Sequence, residues 1–350
     1  MNETERERGW PGAWSRRELI RALGLSSSGM LLLGPTALLG SSAASAAPQL
    51  LRSPADPIRA ALELDGQSSY LLSVAGGNPI ASIAVAAATG PGAIPNKHPS
   101  GIAFEDIVLG LPLLASPTLA GWINDSLSNG FIRKSGAIAY ADAQGNVLKR
   151  LQFSDALLTE IDLPACDATQ NNPAVLVLRL APETTQWTGG TGKLQVFPLA
   201  PRAGATLAGN FQLSIQGLEA ACQAVALVSS LTAKRTVQSS PVGQARFAQI
   251  TYSPFDIATL SITLAESRAA PFFTWFNNFT LKGNIGPGAE LPGVLQWFAA
   301  DHRTVSATAQ LVNLGVVRYA PEPFSSDTAT IGRVQVDMYC EAISLTLPSA

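Results

Sequence analysis

Read for apolar and polar positions, the chain repeats with a period of two along most of its length and with a helical period in two short stretches. Residues 60–65, 102–113, 136–141, 147–153 and 173–181 alternate or form short aliphatic, β-branched runs, so each is predicted to be a strand. Behind Ser116, the residues Leu119, Trp122, Ile123 and Leu127 fall on one helical face. Ser116 can accept a hydrogen bond from an amide two or three residues on, Pro117 occupies the first helical position where no donor is missed, and Asn129–Gly130 can supply a left-handed stop. Pro271 opens a second such segment with Phe272, Trp275, Phe276 and Phe279 as its stripe. Helical spacing accounts for every one of these aromatics, so core packing explains them better than ligand stacking.

The landmarks occur twice in one order. Leu62-Glu63-Leu64-Asp65-Gly66 and Leu213-Ser214-Ile215-Gln216-Gly217 stand 151 positions apart; Trp122-Ile123-Asn124-Asp125 and Trp275-Phe276-Asn277-Asn278 stand 153 apart. Between them come polar stretches at Ala88–Gly101 and Ser229–Gln244, then Phe104–Leu109 and Phe255–Leu260. Turns follow at Asp142–Val147 and Asp301–Val305, and alternating runs close each half at Val175–Leu180 and Val334–Tyr339. The expected fold is mainly β: two tandem antiparallel β-barrel or sandwich domains, each with one flanking α-helix. They span residues 47–182 and 209–350, with a linker at 183–208 that includes Trp187, Gly189, Gly190 and Gly192.

Residues 1–46 read differently. Ser15-Arg16-Arg17 leads into Leu19, Ile20 and Arg21, then a mildly apolar stretch from Leu23 to Leu39 broken by Ser26, Gly34 and Pro35, then the small-residue pattern Ala44-Ser45-Ala46. This is the order of a twin-arginine signal peptide cleaved after Ala46, which implies export by the twin-arginine machinery to the periplasm or the exterior of a bacterium. The apolar run falls short of the roughly 20 strongly apolar residues of a membrane span, so no stable span is expected after cleavage, the alternative being an uncleaved membrane anchor. Of the 350 residues 47% are apolar and 14% charged, enough for a large core. Lys and Arg number 23 against 25 Asp and Glu, and without a basic surplus nucleic acid is excluded as a partner.

Candidate chemistry is sparse. Three Cys and two His supply no multi-site metal framework, and neither metal nor cofactor is expected. Cys166, Cys222 and Cys340 allow at most one intramolecular disulfide; Cys222 with Cys340 is the preferred pair because both lie in the second half, the alternative being three buried thiols. His98 lies between Lys97 and Pro99, His302 in Asp301-His302-Arg303, and both read as solvated loop residues. Gly189-Gly190-Thr191-Gly192-Lys193 lacks the spacing of a phosphate cradle and has Leu194 where the hydroxyl residue belongs. No Gly-x-Ser-x-Gly elbow is present, so the chain reads as a non-enzyme.

Residues 58–182 are similar to the tail-tube protein family of contractile bacteriophages and related contractile injection systems. The likeness is carried by Leu62–Gly66 with Gly76-Gly77-Asn78-Pro79, by Gly101–Ile107, by Trp122 on the helix, by Gly136–Val147 around Asp142, Gly145 and Asn146, and by the closing strand Val175–Leu180. The second half matches more loosely, through its Trp275 helix and terminal strand. The resemblance implies a β-barrel with one flanking helix, six-membered rings whose joined inner sheets line a channel, and a long loop that reaches the neighbouring ring. On that likeness the stretches around Asn96, Lys97 and His98 and around Lys234 and Arg235 are such inter-ring loops. Members ordinarily have one domain and no export signal, and this chain departs on both counts. A two-domain subunit satisfies the six-fold geometry with three chains, so a homo-oligomer, favoured as a trimer, is expected to close head to tail through sheet edges. The rival reading is a monomeric cell-envelope binding protein or carbohydrate-active β protein, which would instead have a closed pocket lined by aromatics.

Overall fold

In the computed structural model the described residues are 59–87, 94–128, 130–194, 206–240, 249–322 and 332–348. The signal motif Ser15, Arg16, Arg17, Leu19 and Ile20, the cleavage residues Ala44 and Ala46, and Asn129 lie outside them. In the first half β1 is Arg59–Leu64, β2 Gln67–Leu71, β3 Ser73–Gly76, β4 Pro79–Ala86, β5 Asn96–Phe104 and β6 Ile107–Pro112; helix α1 is Pro117–Leu127. There follow β7 Arg133–Ala141, β8 Val147–Leu163, β9 Cys166–Asp167, β10 Val175–Ala181 and β11 Thr184–Gly189. The second half has β12 Phe211–Ile215, a short helix α2 Glu219–Cys222, β13 Val225–Val228, β14 Leu231–Lys234, β15 Val237–Ser240, β16 Gln249–Tyr252, β17 Asp256–Ile257 and β18 Leu260–Ala265. Helix α3, Ala270–Phe276, runs on into a π turn at Asn277–Leu281; β19 Leu291–Phe298, β20 Val305–Pro321 and β21 Arg333–Thr346 complete the chain.

One antiparallel sheet has the order β2-β1-β7-β8-β10-β6-β3, the other β12-β19-β20-β21-β18-β13-β9. From β1 and β12 inward, each member of one sheet has its counterpart in the same place in the other. The long strands β8 and β20 each have 17 residues. At the ninth residue each holds an Asx in the left-handed region, Asp155 (φ 50°) and Asn313 (φ 53°), and at the thirteenth, Thr159 and Val317, each slips register against β10 or β21. A left-handed Asx beside a slipped register bends a strand strongly, which lets one strand serve two directions of sheet.

The two principal helices form for the expected reasons. Ser116 Oγ accepts from Leu119 N at 3.4 Å, Pro117 stands in the first turn, and Leu119, Trp122, Ile123 and Leu127 are buried. Gly130 does not take a left-handed φ. Its amide instead closes on Asp125 O at 2.7 Å, and a Cβ there would stand 2.3 Å from that oxygen. Each Trp indole finds a carbonyl past the end of its helix, Trp122 Nε1 donating to Ile132 O at 2.9 Å and Trp275 Nε1 to Ala289 O at 3.0 Å. Phe272 and Phe279 are buried, while Trp275 and Phe276 are half-buried against the core.

Two expectations need revision. Residues 102–113 are not one strand: Glu105 and Asp106 part β5 from β6, because Glu105 Oε2 takes Asn78 Nδ2 at 2.8 Å and the Asp106 carbonyl lies against Gly76, where a Cβ would stand 1.9 Å away. The stretch expected as linker contains β11, which pairs with β8 from Thr184↔Ser154 to Gly189↔Lys149; Leu194 N then closes on Gly145 O at 2.8 Å.

The turn at Asp301 is held by its own carboxylate, which accepts from Arg303 N and Thr304 N at 2.9 Å and from Thr304 Oγ1 at 2.6 Å. The Thr304 hydroxyl and these amides hold its carboxyl down at about 2. A carboxyl whose folded pKa lies below its unfolded value lends stability that is complete above the unfolded pKa, near 4, and drains away as pH falls through about 2. Side-chain NMR titration is expected to place the Asp301 midpoint near 2; a midpoint near 4 would mean that the turn does not hold the carboxylate.

Candidate functional site

The sheets are joined inside the chain by exchanged strands. β14, from the second half, pairs with the end of β8: Leu231↔Leu163, Thr232↔Asp162, Ala233↔Ile161 and Lys234↔Glu160. β9, from the first half, pairs with β13 through Cys166↔Val228 and Asp167↔Leu227. β7 leaves β8 at Leu157, and β14 occupies the edge thus vacated. Glu160 accepts from Lys234 Nζ at 3.1 Å and from Arg179 Nε at 3.0 Å, so the joint carries a half-buried charge cluster as well as its ladder.

Arg235 follows β14 into the first half. Its amide donates to Thr159 O at 2.9 Å, and its Nη2 donates to Ser126 O at 3.0 Å, in the last turn of α1. The guanidinium lies over the Phe255 ring at 3.8 Å and near Phe131 and Tyr252. No carboxylate pairs with it among the described residues, and burial pulls its pKa down to about 10 against an opposing effect of Tyr252. A cation on the carbonyl end of a helix and on aromatic faces is the arrangement that offsets such burial. Asn124 of α1 brackets one residue of β21: its Nδ2 donates to Leu345 O at 2.7 Å and its Oδ1 accepts from Leu345 N at 2.8 Å.

The predicted contact residues separate. Asn96, Lys97 and His98 lie exposed on β5, opposite Ala86, Val85 and Ala84 of β4. β4 and β5 form a two-stranded sheet of their own, with Ile80 50%, Ile83 66% and Val85 58% exposed, and Ile94, just before β5, is 88% exposed. Lys234 and Arg235 are instead committed to the internal joint, and Arg235 is 3% exposed, because Ser126 O and the three rings hold it. The sequence contains signals for part of this: Asn124 and Asn277 recur one after each helix tryptophan and its apolar neighbour, and Asn124 turned out to bridge the halves. The pairing of β14 with β8 has no local signal.

No arrangement for acid–base or nucleophilic chemistry is assembled among these groups. His98 and His302 lie on different elements, exposed, and neither side chain has a hydrogen-bond partner among the described residues. An open cleft of about 400 Å³ borders Asn210, Gln212, Gln223, Phe298, Cys222 and His302, without a carboxylate. The expected Cys222–Cys340 disulfide is not formed: Cys166, Cys222 and Cys340 are free and buried. Cys340 Sγ donates to backbone oxygens of its own sheet, Ala342 O at 3.1 Å and Val312 O at 3.5 Å, while Cys222 belongs to α2. Burial pushes the thiols up, Cys166 to about 12 and the other two to about 11, so they stay protonated and unreactive at neutral pH. Among the described residues no group of three His, Cys, Asp or Glu could hold a metal ion, and no helix is long and apolar enough to cross a membrane.

Residues 76–186 match the family model of the T4-like virus tail tube protein gp19. No curated protein matches the chain. Among solved structures the chain is similar to the tube terminating cap of the anti-feeding prophage, at 21% identity over 42% of this chain and 99% of that one, with a TM-score of 0.35. It is similar also to a chain of the sheath–tube complex of the extracellular contractile injection system PVC in its extended state, at 20% identity over 43% and 99%, TM-score 0.35. Hcp1 from Flavobacterium johnsoniae matches at 19% identity over 39% and 99%, TM-score 0.28.

Proposed function

We propose that this chain, which carries the tail-tube family match over residues 76–186, is a structural, tube-like protein that acts by associating with copies of itself and not by catalysis. That match is the observation on which the reading rests. The exposed β4–β5 sheet favours self-association.

The finer reading is of two tandem tube-like domains, three chains closing one pseudo-six-membered ring, delivered outside the cytoplasm by the twin-arginine leader. The matching strand orders, with the shared 17-residue strand and its left-handed Asx, support the tandem arrangement. The run Ser15-Arg16-Arg17 with Ala44 and Ala46 supports export. Three two-domain chains give six similar β units, and closure of a head-to-tail interface removes every open sheet border that would otherwise invite aggregation. Asn96, Lys97 and His98, exposed on β5, remain the candidates for contact with a neighbouring ring.

Sedimentation and negative-stain imaging of the purified protein test this. The expected result is a species of three chains that images as rings or stacked rings. A stable monomer at micromolar concentration, imaging as featureless particles, would overturn it in favour of a monomeric binding protein.

A further inference from the structure

The joint of β14 on β8 has a counterpart at the end of β20 that is unfilled among the described residues. β19 leaves β20 at Leu314 just as β7 leaves β8 at Leu157, yet no strand follows on the vacated edge among the described residues. The last four residues of β8, Glu160–Leu163, are covered by β14; the last four of β20, Arg318–Pro321, are paired on the β21 side alone. Exposure follows this difference. Thr159 is 5% exposed and Leu163 2%, whereas Val317, in the place of Thr159, is 46% exposed, and Pro321, in the place of Leu163, is exposed. Beside this edge Phe273, whose ring meets Tyr319, is 48% exposed, and Leu281, next to Thr280, whose hydroxyl donates to Val316 O at 2.6 Å, is 64% exposed.

The strand that would fill the edge is also present in the chain and unused. The β4–β5 hairpin and the hairpin that β14, β15, β16 and β17 build follow the same ladder: Pro79↔Phe104 and Ile80↔Ala103 in one, Ala233↔Ile257 and Lys234↔Asp256 in the other. Both ladders slip by one residue three or four positions further on, between Ser82 and Ile83 in the first and between Lys234 and Val237 in the second. The bond Glu105 N to Asn78 O has its counterpart in Ala258 N to Thr232 O. Superposed on this ladder, Ile80 stands where Lys234 stands and Ala81 where Arg235 stands. Ala233 and Arg235 are buried in the internal joint, while Pro79 and Ala81 are exposed. A two-stranded sheet bearing three exposed aliphatic side chains is marginal in water without a third strand.

We propose that the β4–β5 hairpin of a second copy of this chain docks on the free end of β20, in the register of the internal joint. Ile80 of one copy lies opposite Arg318 of the other, and the Ala81 amide donates to Val317 O as the Arg235 amide donates to Thr159 O. Pro79 and Pro321 bring no donors, so the contact draws more on apolar cover than the internal joint does, with Ile80 and Ile83 against Val317 and Leu281. The same placement carries a second contact. Asn277, at the end of α3, holds the position of Asn124 in α1, and Trp187 of β11, opposite Leu151 of β8, holds the position of Leu345 of β21, opposite Ala309 of β20. Asn277 makes no side-chain hydrogen bond among the described residues and Trp187 is 40% exposed, so Asn277 of one copy brackets the Trp187 backbone of the next. One joint is thereby used twice per chain, once within it and once between copies. This rests on the self-association proposed above and specifies which surfaces carry it.

The test is a disulfide trap in the full-length chain with Ile80→Cys and Arg318→Cys together, each alone, and Ile80→Cys with Val312→Cys as an out-of-register control. The native cysteines are buried and do not compete. Under mild oxidation the Ile80→Cys/Arg318→Cys variant is expected to yield covalent multimers in most of the protein, at least ten-fold more than either single variant or the control. In parallel, Ile80→Glu is expected to reduce the assembled species at least ten-fold with the circular dichroism spectrum and Tm unchanged, because Ile80 is half exposed in the single chain. Assembly that persists in Ile80→Glu, with no cross-link from the paired cysteines, would overturn this joint and leave self-association standing. A wild-type monomer that cannot be cross-linked would overturn both.

Discussion

Replacing Arg235 by alanine is expected to destabilise the protein by about 3–5 kcal/mol, read from the urea midpoint and slope. The substitution removes a nearly fully buried side chain, leaves a cavity between Phe255, Phe131 and Tyr252, and strips Ser126 O of its donor. Arg235 Nε and Nη1 have no hydrogen-bond partner among the described residues, so part of the guanidinium's desolvation is uncompensated. Arg235→Met fills most of the volume without the charge, and about half the loss or less is expected. Equal losses for alanine and methionine would show that the cation, and not the packing, holds the joint. Because Arg235 comes from the second half and Ser126 from the first, the alanine variant is also expected to loosen the β14–β8 pairing, seen as faster amide exchange at Thr232 and Lys234.

Trp122→Ala is expected to cost about 3–5 kcal/mol, and Trp275→Ala about half as much. The two residues do the same thing: each packs a helix on its sheet and sends its indole N–H to a carbonyl beyond the helix end. They differ in depth, Trp122 being 1% exposed and Trp275 half-buried. Trp122→Phe keeps the ring contact and orphans Ile132 O, a loss of about 1–3 kcal/mol. Comparable losses for both alanine variants would mean that the half-buried site is packed as tightly as the buried one.

How much of this was legible beforehand depends on the range of the interaction. The Ser116 cap, the Pro117 start and the Leu119, Trp122, Ile123, Leu127 stripe are set by neighbours within a few residues, and all are found as expected. The turns at Asp142 and Asp301 are equally local, each built by a carboxylate taking amides two to four residues on. The linker reading missed β11 because Thr184–Gly189 is polar and glycine-bearing; what makes it a strand is the open edge of β8, which lies thirty to forty positions back in sequence. The disulfide expectation failed for a similar reason: proximity in sequence halves says nothing of which sheet or helix each thiol faces.

The amino-acid sequence by itself determined the alternation that makes strands, the helix starts, the order of landmarks that recurs in both halves and the chemical poverty of the chain, since each of these follows from residue type and local spacing. The tertiary structure alone decided that β14 lies on β8, that Arg235 crosses into the other half, that Asn124 grips Leu345 and that the end of β20 has one edge unpaired among the described residues. A backbone hydrogen bond is indifferent to the side chains that flank it. Which of several chemically equivalent strand edges is filled is therefore settled by chain geometry and the burial it permits, and no pattern of residues along the chain records that choice.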